Sequence, residues 1–203
     1  MSLGLRDPLI LASGSSTRAR ILADAGLPAV VDPASVDEEE IRAAFHAEGR
    51  DASACATALA ESKAIRVSAR HTGALVVGAD QILECAGRWF EKPADIEAAR
   101  AQLMALRGKP HALVSAAAVV RNGSVLWHTT DHAELTMRGF SDGFLDAYIA
   151  TAGADLLGSV GAYRLEGLGA QLFERVEGDY FTILGLPLLP LLDFLRGNGA
   201  LLS

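Results

Sequence analysis

The stretch LILASGSSTRARIL, from Leu9 to Leu22, joins an apolar segment to a helical pattern through a Ser-Gly-Ser turn. It predicts a buried strand, a tight turn and a helix, the opening unit of an α/β fold. The first turn of a helix presents N–H groups at its positive end, where phosphates bind. Ser13 and Ser15 add hydroxyl groups, and Gly14 permits close backbone approach. Arg18 adds charge, so the stretch predicts a phosphate site; the alternative is an ordinary turn before a capped helix.

The composition predicts a folded chain without general affinity for nucleic acid. The chain has 203 residues, of which 50% are hydrophobic, and we expect one domain over residues 1–203. Its formal net charge of −7 argues against the broad basic face that nucleic-acid binding needs. No apolar run reaches the roughly 18 residues of a membrane-spanning helix. Cys55 and Cys85 lack metal-binding spacing, which favours a reduced, cytoplasmic setting.

A second informative segment is ALVVGAD, from Ala74 to Asp80. Its continuous apolar run predicts an interior strand that ends in a carboxylate at the edge of the sheet. Ligands of open α/β sheets gather at such strand ends, so Asp80 is a candidate site residue. The alternative is a carboxylate that caps the following turn.

Three more charged residues are candidates. Lysine occurs three times in the chain, and Lys92 precedes Pro93, which favours an extended backbone there and makes Lys92 a plausible phosphate ligand. The alternative is an exposed surface lysine. Lys63 lies on a predicted amphipathic helix, where a solvated position is the simpler explanation. Glu38 is explained by a capping box with Ser35, three residues earlier.

The segment SVGAYRLEGLGAQLFERVEGDY, residues 159–180, is rich in glycine. Such spacing permits close approach of the backbone to a flat ligand, although an ordinary loop has the same pattern. The carboxylate of Glu166 can accept two parallel hydrogen bonds from the N1–H and exocyclic amine of guanine. A uracil edge instead offers one donor between two acceptors.

The order of elements predicts an α/β fold with a mixed sheet flanked by helices, in two lobes with a central cleft. Asn122-Gly123 predicts a type I′ hairpin that adds antiparallel strands at 111–121 and 124–138. LFERV predicts another strand, and the last helix has Pro187 in its first turn. Other predicted helices cover residues 37–47, 53–69, 95–107 and 141–151.

Several catalytic motifs are absent. The five histidines show no metal-ligand spacing, and we expect them to be core or surface residues. The chain has neither a GxSxG segment nor a Walker A lysine, which argues against serine hydrolases and P-loop enzymes.

Taken in order, several segments resemble the Maf family of nucleoside triphosphate pyrophosphatases. The resemblance implies an inosine-triphosphatase-like fold, a divalent cation (Mg²⁺ or Mn²⁺), and hydrolysis of a nucleoside triphosphate to the monophosphate and pyrophosphate. It also implies a cytoplasmic enzyme, commonly a homodimer. The matching segments are LILASGSSTRARIL, VDE at 36–38, ESKA around Lys63, VVGADQIL, EKP at 91–93, GAYRLEGLGAQLFERVEGDY and GLPL.

The resemblance assigns roles to the matching positions. Asp80 matches the family's proton acceptor, and Glu38 and Asp80 match acidic positions at the metal. Arg18 and Lys92 match cationic groups that would stabilise charge on the leaving pyrophosphate. The other positions expected to bind substrate are Ser13, Gly14, Ser15 and Lys63.

Three positions bear on the preferred base. Gln81 and Glu166 resemble the subgroup that acts on 7-methyl-GTP, whereas the subgroup that acts on dTTP and UTP has Thr and Gln there. The positive ring of a 7-methylated guanine would strengthen its attraction to the carboxylate. The chain departs from the family at Ser16 and Thr17, which replace Pro and a following Arg or Trp, so a cation–π contact is lost. Thr17, Gln81 and Glu166 are the expected specificity residues.

Three alternatives stay open at this point. One is a dTTP/UTP pyrophosphatase of the same family. Another is a nucleotidyltransferase, because LASGSSTR loosely resembles the glycine-rich signature of sugar-nucleotide synthases. The third is a regulatory protein of cell division in which catalysis is not essential.

Overall fold

The computed structural model describes residue 5 and residues 7–202. Within this part of the chain, seven strands form one mixed sheet with helices packed around it, as expected for the α/β class. Strand β1 (Leu9–Leu11) pairs in parallel with β2 (Val30–Val31) and β3 (Leu75–Cys85). The sheet has the order β2-β1-β3-β5-β6-β7, and β4 (Arg88–Phe90) pairs with β3. The later strands are β5 (Pro110–Arg121), β6 (Ser124–Met137) and β7 (Phe173–Glu177).

The helices predicted at residues 37–47, 53–69, 95–107 and 141–151 are confirmed to within one residue, and the short helix α6 was not predicted. The glycine-rich segment 159–180 contains 3₁₀ turns at Val160–Ala162 and Leu168–Leu172. No helix in the described ranges has both the length and the apolarity to cross a bilayer. The helices are α1 (Ser16–Asp24), α2 (Glu38–Ala47), α3 (Ala52–Ser68), α4 (Ile96–Leu106), α5 (Asp142–Ala152), α6 (Tyr180–Ile183) and α7 (Leu188–Gly197).

The predicted ends of helices and turns are accurate where a side chain or a turn residue fixes the neighbouring backbone. Asp95 accepts a hydrogen bond from the N–H of Ala98 at 2.7 Å and begins α4. Asn122 and Gly123 have φ angles of 51° and 79°, the positive values that a type I′ hairpin requires. One helix end was predicted wrongly, since Pro187 precedes α7 as its N-cap and does not lie in its first turn.

The capping box predicted at Ser35 and Glu38 is also wrong. The N-cap of α2 is Asp37, whose carboxylate accepts a hydrogen bond from the N–H of Glu40 at 3.0 Å. A carboxylate next to the helix is the nearer acceptor, and it complements the positive helix end. Glu38 is therefore the first residue of α2, and its side chain is available for contacts outside the helix.

Strand β3 is longer than the apolar run that predicted it. It continues to Cys85, so Asp80 lies in the middle of the strand and the prediction that it ends the strand is wrong. The extension follows from antiparallel pairing with β4, in which Leu83 faces Phe90 and Cys85 faces Arg88. A buried residue within a strand is held more rigidly than one at a strand end.

The contacts divide the chain into two compact units, neither of which is continuous in sequence. The first comprises the residues up to Asp80, residues 115–131 and the residues from 185 onward; the second comprises residues 81–114 and 132–184. Strands β3, β5 and β6 contribute residues to both units. The single domain expected over residues 1–203 stays a prediction.

Each unit has its own apolar core. In the first, Ile10 and Val76 of the sheet pack with Ala64 and Val67 of α3. The core of the second is richer in aromatic residues and includes Phe140, Tyr148, Tyr163, Leu103 and Leu135.

Gly78 brings β3 against α3 in the first unit. A Cβ atom at this position would lie 2.0 Å from the carbonyl oxygen of Ala60 and 2.9 Å from the backbone nitrogen of Ala64. Only a residue without a side chain fits this approach of two backbones. Since Ala60 and Ala64 flank Lys63 on the helix, the close packing carries Asp80, two residues beyond Gly78, toward that lysine.

Candidate functional site

Four charged side chains meet in the first unit, and we call them the charged cluster: Glu38, Arg42, Lys63 and Asp80. Lys63 Nζ donates to Asp80 Oδ1 at 2.6 Å and lies 2.8 Å from Glu38 Oε1. Arg42 Nη2 donates to Glu38 Oε2 at 2.9 Å and to Asp80 Oδ2 at 3.4 Å. Two cations and two carboxylates therefore alternate around one ring of ion pairs.

Lys63 lies at the centre of the charged cluster and is buried. Its side chain is 8% exposed, and that of Asp80 is 5% exposed. The solvated position that its helix pattern favoured is therefore wrong. A buried charge is tolerated when partners replace its hydration, and two carboxylates do so here.

Glu38 is half-buried at the start of α2. Burial by itself would raise the pKa of this carboxyl group, but the nearby charges and hydrogen bonds of Lys63 and Arg42 outweigh it and lower the pKa. Its position in the first turn, beside the positive end of the helix, also favours the negative charge. Glu38 is therefore ionised at neutral pH and can bind a cation.

Arg18 of the opening stretch is held by three hydrogen bonds within the first unit. Its Nη1 donates to Ser13 Oγ at 2.9 Å and to the carbonyl oxygen of Ala79 at 3.0 Å, and its Nε donates to the carbonyl oxygen of Gly185 at 2.7 Å. Burial lowers the pKa of Arg18, while the charges of Asp80 and Glu38 oppose the change. The guanidinium group stays charged and its orientation is fixed.

The Ser-Gly-Ser turn has the geometry expected before a helix. Ser15 is the N-cap of α1, and its Oγ accepts a hydrogen bond from the N–H of Arg18 at 3.3 Å. Ser13 Oγ accepts from the N–H of Ser15 at 3.3 Å. Both hydroxyl groups act as acceptors in these bonds, so each can still donate its hydrogen to a phosphate. Gly14 is exposed, and Thr17 is half-buried in the first turn of α1.

Three predicted site residues lie in the second unit. Gln81 Nε2 donates to the carbonyl oxygens of Thr182 at 3.2 Å and Ile183 at 3.0 Å, which fixes the orientation of its amide. Lys92 is exposed in the segment after β4. Glu166 is half-buried and pairs with Arg164 of the same segment.

Glu166 lines a cavity of about 230 Å³ within the second unit. Tyr148, Tyr163 and Leu168 supply apolar walls, and Arg164 contributes positive charge. Arg164 Nε and Nη2 lie 3.2 and 3.1 Å from Glu166 Oε1. An apolar cavity with a few oriented polar groups is the usual form of a small-molecule site.

Tyr163 of the glycine-rich segment forms a buried polar pair with His111 of β5. His111 Nε2 and the hydroxyl oxygen of Tyr163 are 2.8 Å apart, and Phe173 packs edge-on against Tyr163. Gly161 has a φ of 77°, and a Cβ there would meet Leu83 at 2.6 Å and Tyr163 at 2.7 Å. Burial raises the pKa of Tyr163, so its phenol stays neutral. His111 is thus a core residue, one of the two positions expected for the histidines.

The burial of His111 predicts a loss of stability in acid. Burial lowers the pKa of His111 from 6.5 to about 4, so the neutral ring stabilises the folded state above pH 6.5. Between pH 6.5 and 4 the unfolded chain binds the proton first, and up to about 3 kcal/mol of unfolding free energy is lost. His111→Gln keeps a polar partner for Tyr163 without this titration. Urea unfolding of both proteins should give a free-energy difference that shrinks as the pH falls; a difference independent of pH would contradict the prediction.

Two carboxylates of the charged cluster could hold a divalent cation. Within the described residues, no three His, Cys, Asp or Glu side chains form a group that could hold a metal ion. Mg²⁺, however, is commonly held by one or two carboxylates together with waters and substrate phosphates. Glu38 and Asp80 supply two such carboxylates. Lys63 and Arg42 each contact both of them.

Arg42 is the member of the charged cluster that the sequence pattern does not indicate. It lies four residues after Glu38 on α2, the spacing at which opposite charges pair on a helix. That signal was present in the sequence, but it is typical of many surface helices. The contact with Asp80 depends on how α2 packs against the sheet, and no local pattern predicts it.

Comparisons with known proteins identify the family of the chain. Residues 8–198 match the family described as Maf-like protein. A nucleoside triphosphate pyrophosphatase of Paramagnetospirillum magneticum is 60% identical over 192 residues, which cover 95% of this chain and 99% of that protein. A 7-methyl-GTP pyrophosphatase of Mesorhizobium japonicum is 50% identical over 197 residues, covering 97% and 99% of the two chains.

Among solved structures, a HAM1 protein from Coxiella burnetii gives a TM-score of 0.39 at 17% identity. The match covers 64% of this chain and 72% of that one, and the score is too low to support an argument about the fold.

Proposed function

We propose, since this chain belongs to the Maf family of proteins, that it hydrolyses a nucleoside triphosphate to the nucleoside monophosphate and pyrophosphate. The 60% identity to a nucleoside triphosphate pyrophosphatase over nearly the whole of both chains supports the activity. The single structural observation that carries the proposal is the buried Asp80, held by Lys63 and Arg42 beside Glu38. The nucleotidyltransferase and regulatory alternatives gain no support from these relatives.

In this mechanism Asp80 accepts a proton from the water that attacks the α-phosphorus. Lys63 holds Asp80 Oδ1 at 2.6 Å and so orients the carboxylate. Mg²⁺ or Mn²⁺ bound by Glu38 and Asp80 would neutralise charge on the triphosphate and the leaving pyrophosphate. The Ser13 and Ser15 hydroxyl groups donate to phosphate oxygens.

The fixed cations supply electrostatic stabilisation. Arg18 is oriented by three hydrogen bonds to its own chain, so its charge needs no reorganisation when negative charge develops on pyrophosphate. We assign Lys92 the same role on its exposed segment. The exposed Gly14 permits the close backbone approach that phosphate binding at α1 requires.

We further propose 7-methyl-GTP as the preferred substrate. The carboxylate of Glu166 lines a cavity with aromatic walls, where it can accept hydrogen bonds from a guanine edge. Gln81 is fixed by two carbonyl oxygens, and Thr17 lies at the start of α1. Relatives at 50% and 48% identity are named 7-methyl-GTP pyrophosphatases. The cytoplasmic setting, the homodimer and the absence of nucleic-acid binding stay predictions.

A panel of nucleoside triphosphates with Mg²⁺ or Mn²⁺ tests both proposals through the release of pyrophosphate. We expect 7-methyl-GTP to give the highest kcat/KM, and Glu166→Gln to lower it about tenfold because charge-assisted hydrogen bonds to the base are lost. Glu174→Gln, an exposed change on β7, is the matched control and should leave it unchanged. A preference for dTTP or UTP would show that the base assignment is wrong, and no release from any nucleotide would overturn the activity.

A further inference from the structure

Arg42 and Lys63 divide the oxygens of the two carboxylates between them. Lys63 Nζ contacts Glu38 Oε1 and Asp80 Oδ1, at 2.8 and 2.6 Å. Arg42 Nη2 contacts the other oxygen of each, Glu38 Oε2 at 2.9 Å and Asp80 Oδ2 at 3.4 Å. A single nitrogen atom of Arg42 thus contacts one oxygen of each carboxylate, and Lys63 contacts the other.

The two cations differ in their freedom to move. The Lys63 side chain is 8% exposed, whereas that of Arg42 is 20% exposed on the first turns of α2. Arg42 is the more exposed of the two cations, and its long side chain can keep its charge in water after it leaves the carboxylates. Lys63 cannot leave them without losing the only compensation for its buried charge that the cluster offers.

A divalent cation would need the oxygens that Arg42 now contacts. Arg42 Nη2 lies within 3.4 Å of both Glu38 Oε2 and Asp80 Oδ2, so a cation bound to these two oxygens would lie close to its position. Two positive groups cannot share this position, because their repulsion at contact distance is strong. Binding of the metal therefore requires that Arg42 move away.

We propose that Arg42 occupies the metal position of the nucleotide-free enzyme, leaves it when Mg²⁺ or Mn²⁺ binds, and then binds the triphosphate. The last step rests on the proposed function, and the first does not. Once displaced, the guanidinium remains beside the metal, where its planar donors suit phosphate oxygens. Arg42 thus limits metal binding in the absence of nucleotide and contributes substrate affinity in its presence.

Titration of nucleotide-free protein with Mn²⁺, followed by electron paramagnetic resonance, tests the first step. Arg42→Gln should bind Mn²⁺ about tenfold more tightly than the wild type, because a competing cation bonded to both carboxylates is gone. Arg42→Lys should stay close to the wild type, since one charged nitrogen is enough to bridge the two oxygens. The matched control is Arg66→Gln, which removes the same charge from an exposed position of α3 and should not change the affinity.

Steady-state kinetics at saturating Mn²⁺ test the second step. Arg42→Gln should raise the KM for the nucleotide about tenfold, so that metal affinity and substrate affinity change in opposite directions. A purely structural role of Arg42 would weaken both. Mn²⁺ binding by Arg42→Gln that is equal to or weaker than that of the wild type would overturn the proposal. Tighter Mn²⁺ binding in a protein that hydrolyses no nucleotide would support the competition and overturn both the triphosphate step and the proposed function.

Discussion

Asp80→Asn is expected to lower kcat for nucleotide hydrolysis by about three orders of magnitude. The amide keeps the shape of the carboxylate but cannot accept a proton from water at neutral pH. Its oxygen can still accept a hydrogen bond from Lys63, which lies 2.6 Å from Asp80 Oδ1 in the wild type. The loss should therefore appear in kcat while the fold is retained, as measured by pyrophosphate release and by circular dichroism.

Asp24→Asn is the matched control for this change. Asp24 is the exposed last residue of α1, so the substitution alters the net charge by the same amount without touching the charged cluster. It should keep wild-type activity. Near wild-type kcat in Asp80→Asn would show that another group accepts the proton. A large rise in KM with unchanged kcat would instead assign Asp80 to substrate binding alone.

The elements of this fold that the sequence predicted are those set by contacts between near neighbours. Asp95 begins α4 by bonding a backbone group three residues away, and Asn122-Gly123 turns the hairpin because both residues tolerate positive φ. The end of β3 was missed because its last residues lie beyond the apolar run and pair with β4. Local chemistry fixed the turns and caps, whereas strand length depended on pairing.

In the charged cluster and the opening turn, too, features set by near neighbours in sequence were predicted and features set by distant contacts were not. The polar residues of the opening turn could be identified because they lie within five residues of one another. The burial of Lys63 could not, since it depends on the close approach of β3 to α3 at Gly78. Its helix has a weak amphipathic pattern in which a lysine suits a solvated face. Arg42 was missed for a related reason, because its contact with Asp80 joins residues 38 positions apart.

Lys63→Met is expected to lower the free energy of unfolding by about 4 kcal/mol and to abolish most activity. Methionine fills a similar volume but leaves Asp80, whose side chain is 5% exposed, with Arg42 at 3.4 Å as the remaining cation of the cluster. Asp80 then loses its closer partner, and the longer contact with Arg42 compensates less of its buried charge. Urea unfolding at pH 7 measures the change. Lys109→Met, which alters an exposed lysine, should leave stability within about 0.5 kcal/mol of the wild type.

A double-mutant cycle separates this electrostatic cause from a simple packing defect. If the uncompensated carboxylate causes the loss, Asp80→Asn in the Lys63→Met background removes that charge and should restore about 2 kcal/mol of the unfolding free energy. In the wild type the same change removes a partner of Lys63 and should lower stability. Asp80→Asn is thus expected to lower the free energy of unfolding in the wild type and to raise it in the Lys63→Met background. If the two losses simply add, the contact between Lys63 and Asp80 contributes no coupling energy, and methionine is destabilising because it packs badly between α3 and β3.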